Sequence, residues 1–123
     1  ECVVWGYFAG KDAIETKDDD NYFPPMEEWK QGTVRVDISH IAQEWLTIKN
    51  TMWNFGGLVR SQDKLHSAMH VLRNLQSDVE KNYQRSKLDS NIIALRNGAQ
   101  TALAIIASGT EARESKGTHY VAE

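Results

Sequence analysis

The sequence predicts an all-α protein in which three helices form an up-down-up antiparallel bundle, preceded by a short helical head and an irregular linker that contains prolines. Three stretches after residue 37 carry apolar residues at spacings of three and four, which is the period of a helix with one buried face. Each stretch is long and the connections between them are short, so neighbouring helices should pack antiparallel. The 123 residues fit a single bundle of ordinary domain size.

The head covers residues 1–15, with the sequence ECVVWGYFAGKDAIE, and is apolar on nearly all sides as far as Ala9. A helix that is apolar all round is normally buried all round. We therefore interpret residues 1–15 as the tail helix of a neighbouring domain that is missing from this sequence. The first residue, Glu rather than Met, favours the same interpretation.

The linker covers residues 16–37 and contains an acidic run, Pro24-Pro25 and Gly32. Proline restricts its own backbone and that of the preceding residue, so a long helix is not expected here. The segment TVRV, residues 33–36, suits a short extended stretch, although nothing in the sequence supplies a sheet for it.

The bundle domain is predicted to span residues 38–123. Gly56-Gly57 should end its first helix, Ser61 should cap the second, and Asp89 or Ser90 should cap the third. The predicted buried faces follow the helical spacing and comprise Ile38, Ile41, Trp45, Ile48, Met52 and Phe55, then Leu65, Met69, Leu72, Leu75, Val79 and Tyr83, then Ile92, Leu95, Ala99, Ala102, Ile106 and Gly109.

Composition and motifs argue against several classes of function. The net charge of −3 disfavours nucleic-acid binding, which requires Lys and Arg to neutralise phosphates. No apolar run approaches the ~20 residues of a membrane-spanning helix, and no basic segment precedes the head as in a signal peptide. The single cysteine, Cys2, precludes an intrachain disulfide and suits a reducing compartment, so we expect a cytoplasmic protein.

Catalytic, cofactor and metal motifs are not found. No Gly-rich loop follows a strand, as a dinucleotide site would require. His66 and His70 share one helix face, but a structural zinc site needs four ligands and no partner motif accompanies the pair, which favours a surface pair. The aspartates of residues 18–20 resemble a calcium loop only superficially, because Phe23 stands where the EF-hand pattern has Gly.

A cationic cluster is predicted at one end of the bundle. The up-down-up topology brings Arg60 to the same end as Arg113, Lys116 and His119, with Glu114 as their internal partner. Such a cluster suits a carboxylate-rich surface of a neighbour or an anionic ligand.

The closing segment ARESKGTHY also has a simpler interpretation as a helix C-terminus. Arg113 and Lys116 would complement the negative end of the helix dipole, and Gly117 would adopt the left-handed conformation that follows many helices.

Several of these stretches resemble one family. MWNFGGLVRSQDKLHSAMHVLRNL and ALRNGAQTALAIIASGTEARESKGTHY resemble the C-terminal helical domain of the flavoproteins that include L-aspartate oxidase, succinate dehydrogenase and fumarate reductase. The family pattern reads Met-Trp-x-x-Val-Gly-Ile-Val-Arg, then Leu-Arg-Asn, then Arg-x-Glu-Ser-Arg-Gly-x-His. The head, ECVVWG, resembles the helix that follows the family's flavin-contacting Asn-Ser-Leu turn.

Within the family the resemblance is to L-aspartate oxidase, through Met52-Trp53, Leu95-Arg96-Asn97 and His119-Tyr120. The chain departs from the pattern at three positions. Gly56 replaces Val, Gly98 replaces an aliphatic residue, and Lys116 replaces Arg, which keeps the charge but loses the bidentate fork.

The resemblance implies that the chemistry lies elsewhere in a parent enzyme. The family binds FAD in a Rossmann-type domain and oxidises or reduces a dicarboxylate, in L-aspartate oxidase by converting L-aspartate to iminoaspartate for NAD biosynthesis. Those catalytic and flavin-binding residues precede the matching region, so this chain alone should be inactive and bind no cofactor. Its expected partners are the FAD-binding and capping domains, and the residues expected at that contact are Trp5, Arg60, Arg96, Arg113, Glu114, Lys116, His119 and Tyr120.

Other functions remain open from the residues alone. The chain would also fit the same domain of a succinate dehydrogenase or fumarate reductase flavoprotein subunit. A stand-alone three-helix interaction module fits the lack of catalytic residues, and a metal-binding bundle would require zinc at His66 and His70.

Overall fold

A computed structural model describes residues 2–15, 25–26, 28 and 32–122. The described elements are α1 (Cys2–Glu15), α2 (Ile38–Phe55), β1 (Val59–Arg60), α3 (Gln62–Arg85), α4 (Ser90–Glu111) and β2 (Tyr120–Val121). The acidic run of the linker, with Pro24 and Phe23, lies outside the described residues. None of the helices in the described part is both long and apolar enough to cross a membrane.

Helices α2, α3 and α4 pack together as the predicted three-helix bundle, preceded by the helical head α1. Two side-chain contacts show the antiparallel order. His40, early in α2, lies 3.2 Å from Asn82, late in α3, and Arg96, early in α4, lies 2.7 Å from Glu80, also late in α3. The predicted fold class is confirmed.

Each bundle helix begins directly after a capping residue. Asp37 accepts a hydrogen bond from the backbone N–H of Ser39 at 2.9 Å and so caps α2, and Ser61 caps α3 in the same way. Hydrogen bonds from the hydroxyl and then the backbone of Ser39 hold the pKa of Asp37 below its usual value. Asp89, the earlier of the two predicted candidates, caps α4, and Gly56 ends α2.

The core lies between the three bundle helices and follows the predicted stripes closely. Ile38 is the exception, because it is the first residue of α2 and remains 73% exposed. Ala68 and Thr51 are buried although the stripes did not include them. The fully buried centre is formed by Leu65, Leu72, Val79, Ile92, Leu95 and Ile106.

The segment before α2 is extended, as TVRV predicts. Val34 forms a single parallel bridge to Ser86 at the end of α3, donating to the carbonyl of Arg85 at 3.1 Å and accepting from Lys87 at 2.8 Å. Gly32 lies against the same backbone, since an added Cβ would lie 2.2 Å from the carbonyl carbon of Arg85. The chain therefore enters the bundle tied to the C-terminal end of α3.

The head helix α1 buries none of its residues. Its large apolar side chains are more than half exposed, including Trp5 at 72% and Val3 at 85%. The helical head is confirmed, and its apolar surface is not covered by the described part of the bundle.

Candidate functional site

Arg60 and His119 meet at one end of the bundle, as the topology predicted. Nη1 of Arg60 lies 2.8 Å from Nδ1 of His119, and Nε of Arg60 donates to the carbonyl oxygen of Gly57 at 3.1 Å. Nε2 of His119 lies 2.6 Å from the carbonyl oxygen of Ala112. Because a guanidinium only donates and a carbonyl only accepts, Nδ1 must accept and Nε2 must carry the hydrogen.

Backbone pairing reinforces this contact. Strands β1 and β2 are parallel, with Val59 opposite Tyr120 and Arg60 opposite Val121. The N–H of Ala122 donates to the carbonyl oxygen of Arg60 at 2.7 Å. We call residues 57–60 and 112–122 the C-terminal clasp, because together they tie the end of the chain to the connection between α2 and α3.

Gly117 has a left-handed backbone, but the predicted place for it is wrong. Helix α4 ends at Glu111, and its C-cap is Ala112, whose N–H bonds to the carbonyl of Ser108. Gly117, with φ +60°, lies further on, in a tight turn where Lys116 and His119 exchange backbone hydrogen bonds at 2.8 and 3.1 Å. The glycine therefore shapes the clasp rather than the end of the helix.

The remaining charged residues of the clasp point into solvent. Arg113, Glu114 and Lys116 are all exposed. No ion pair among residues 2–15 and 32–122 involves Glu114, so the predicted internal pairing with the clasp cations is not formed. These three charged side chains therefore lie at the surface and form no ion pair with one another.

Arg96 lies at the opposite end of the bundle from the clasp. Its Nε donates to Glu80 Oε2 at 2.7 Å, and its guanidinium lies 4.6 Å from the centre of the Tyr83 ring. The hydrogen bond to Glu80 raises the pKa of Arg96 above its usual value. Arg96 therefore links α4 to α3.

We call the exposed apolar side chains of the clasp, together with Trp53 near the end of α2, the apolar patch. It comprises Trp53 at 82% exposure, Leu58 at 87%, Val59 at 57% and Tyr120 at 54%. Tyr120 was among the predicted contact residues, whereas the exposure of the other three was missed. Two signals were available, because Trp53 lies one position off the buried stripe and Leu58 is a large apolar residue in a connection between helices.

An open groove of about 550 Å³ borders the clasp on the side of α4. Arg60 and His119 of the clasp line it together with residues of α4 that include Ala104, Ile105 and Gly109. The clasp therefore contributes residues both to the lining of this groove and to the apolar patch.

The two histidines of α3 behave as a surface pair, since His66 and His70 are both exposed. Within the described ranges no group of three or more His, Cys, Asp or Glu side chains could hold a metal ion. The same part of the chain has only the two-residue strands β1 and β2, and no strand, glycine loop and helix unit that would cradle a dinucleotide. The residues present do not fit an FAD site, and none is assigned to them.

Comparison with known proteins shows which proteins this chain is related to. No family model matches this chain. The L-aspartate oxidase of Acinetobacter baylyi is 32% identical over 98% of the chain, and that of Pseudomonas aeruginosa is 32% identical over the same share. The chain is a homologue of part of L-aspartate oxidase. The Halobacterium salinarum L-aspartate oxidase, 30% identical over 98% of the chain, agrees with this.

The resemblance to the L-aspartate oxidase group is therefore confirmed. The chain spans only 22–23% of the length of these L-aspartate oxidases, although nearly all of it is matched. It corresponds to a domain-sized part of each relative.

Proposed function

We propose that the chain is the C-terminal helical domain of an FAD-dependent L-aspartate oxidase, which converts L-aspartate to iminoaspartate for NAD biosynthesis. The observation that carries this proposal is the match of 98% of the chain to 22–23% of each L-aspartate oxidase. The FAD, the dicarboxylate substrate and a cytoplasmic location are attributes of the whole enzyme in this proposal. The role of the chain is to pack against the flavin-binding and capping domains.

The head supports this role. Helix α1 buries none of its residues while its large apolar side chains face solvent, including Trp5 and Phe8. A contiguous apolar surface of this kind is typical of a contact with another protein surface. We assign residues 1–15 to the flavin-binding domain as its tail helix, residues 16–37 to the linker, and residues 38–123 to the docked bundle.

The clasp supplies the contact at the other end of the chain in this proposal. Arg113, Glu114 and Lys116 are exposed and uncommitted, so they are suited to ion pairs across the contact, and Tyr120 presents an amphipathic ring beside them. Arg60 and His119 would contribute indirectly, because their hydrogen bonds hold the clasp in its conformation.

Arg96 has a different part in the same proposal. Its guanidinium is already occupied by Glu80 and the Tyr83 ring, so it would maintain the α3–α4 pair that carries the clasp.

A chimera tests the proposed function. The matched region of the Acinetobacter baylyi L-aspartate oxidase is replaced by this chain, and a deletion of the same region serves as the control. The chimera should retain bound FAD, and L-aspartate should bleach the flavin absorbance under anaerobic conditions, whereas the deletion protein should lose FAD. A folded chimera that carries no FAD, or whose flavin L-aspartate does not reduce, would refute the proposal.

A further inference from the structure

We propose that Trp53 and Leu58 are the apolar anchors through which this domain docks onto the flavin-binding part of the same polypeptide. This inference rests on the proposed function and adds the surface, the residues and the chemistry of the partner. The partner surface would be apolar at its centre and acidic at its rim.

The side chains of both proposed anchors are exposed to solvent. Trp53 is 82% and Leu58 is 87% exposed, although both belong to the residue types that proteins normally bury. Single exposed apolar residues are common, but here Val59 follows Leu58 directly and pairs with Tyr120 across the two strands. Trp and Tyr are among the residue types that dominate binding energy at interfaces.

The loop that carries Leu58 is packed closely against the bundle on its inner side. A Cβ on Gly56 would lie 2.8 Å from Ile106 Cδ1, and a Cβ on Gly57 would lie 2.7 Å from the carbonyl oxygen of Trp53. The loop is therefore packed against α4 and α2 on its inner side, with Leu58 on the outside. A preformed loop loses little conformational entropy on binding, which favours a docking role.

Arg60 and His119 make their hydrogen bonds within the clasp itself. The bonded atoms of Arg60 and His119 are directed to Gly57, Ala112 and each other. The apolar patch is therefore left to supply the centre of a contact, and the exposed charged residues of the clasp, Arg113, Glu114 and Lys116, supply its rim. Interfaces commonly have this arrangement, with an apolar centre and a polar rim.

The occupant is inferred from length and charge. The chain accounts for 22–23% of each L-aspartate oxidase, so the remainder of such an enzyme is large enough to cover the patch and is tethered to it. Tethering raises the effective concentration of the partner surface, so a patch of a few residues suffices. Arg113 and Lys116 outnumber Glu114 at the rim, which favours carboxylates on the other side.

The experiment compares three substitutions in two contexts. Trp53→Gln and Leu58→Ser remove the proposed anchors, and Ile38→Ser is the matched control, because Ile38 is 73% exposed at the other end of α2. Each is made in the isolated chain and in the Acinetobacter chimera, and thermal unfolding midpoints are measured. The wild-type chimera, through FAD loading and reduction by L-aspartate, separately reports on the proposed function.

The expected result is a context-dependent loss. In the chimera each anchor substitution should lower the midpoint by about 4 °C or more, as loss of an interface hot spot does in a larger protein. In the isolated chain all three variants should unfold close to wild type, since exposed positions contribute little. The Ile38 control should behave like wild type in both contexts.

Three results would overturn the inference while leaving the proposed function standing. One is an unchanged midpoint for both anchor variants in a chimera that binds FAD normally. Another is an equal loss in the isolated chain, which would make the residues part of its own fold. The last is a dimer of the isolated chain, seen by light scattering, that the anchor substitutions dissociate without affecting the chimera, which would make a second copy the occupant.

Discussion

Replacing Gly98 by alanine should destabilise the bundle, although alanine is the better helix former. Gly98 lies on α4, where a Cβ would be 2.4 Å from Cη2 and 2.9 Å from Cζ3 of Trp45. These distances are well inside van der Waals contact, so the indole or the helix would have to move. The ring of Trp45, on α2, occupies the space into which an aliphatic side chain would project at this position of the family pattern.

Two opposing free energies decide the sign. Gly→Ala inside a helix contributes about 1 kcal/mol of stability, whereas forcing extra volume into a packed site costs about 1–3 kcal/mol. We expect a net loss of about 1 kcal/mol for Gly98→Ala in the wild-type background. In a Trp45→Leu background the overlap is removed, so the same substitution should instead stabilise by about 1 kcal/mol.

The assay is urea unfolding of the isolated chain followed by far-ultraviolet circular dichroism, which does not depend on the indole being replaced. Gly109→Ala is the matched control on the same helix, because the nearest atom to its Cβ would be Leu65 Cδ2 at an ordinary 3.6 Å. The control should be neutral or stabilising. The steric reasoning fails if Gly98→Ala has the same effect in both backgrounds.

Three further predictions concern polar contacts. His119→Ala should speed hydrogen exchange at the Ala122 amide about tenfold, because about 1.4 kcal/mol of hydrogen bonding is lost. Exchange is measured by mass spectrometry or NMR, and an unchanged rate would argue against a clasp held by His119. The folded-state pKa of Asp37 lies below its usual 3.8, so the ionised carboxylate stabilises the fold above that pH, and this stabilisation is lost as the pH falls through the folded-state pKa. The urea midpoints of wild type and Asp37→Asn should therefore converge on acidification. A constant difference between them would contradict this. Arg96→Lys keeps the charge but loses the geometry over Tyr83, so it should lower the free energy of unfolding by about 1 kcal/mol, and an unaltered urea midpoint would show that charge alone matters.

The helices could be predicted because their determinants are local. Apolar residues at helical spacing, an Asp or Ser before each bundle helix, and Gly56 after α2 are all readable within one or two turns. Every predicted core residue of α4 is buried, since its stripe runs through small residues such as Ala99 and Ala102 that allow close packing. Ile38 broke the rule because periodicity does not say where the neighbouring helices stop.

The clasp was only half predictable. Topology placed Arg60 and His119 together, but two-residue strands have no period, so the pairing of β1 with β2 left no local signal. The hydrogen-bond partners of both side chains depend on where α4 ends. The sequence predicts that end next to Gly117, whereas the C-cap is Ala112. Charge alone therefore indicated a contact surface, while the packing around Leu58 showed which side chains face outward.

The parallel pairing of β1 with β2 also has a consequence for the order of folding. These strands flank α3 and α4, so their contact closes a loop that contains the whole of both helices. Closing so long a loop has a large entropic cost unless the helices have already paired, whereas the α3–α4 hairpin needs only a short connection. We therefore expect the helical hairpin to assemble first and the two strands to pair after it.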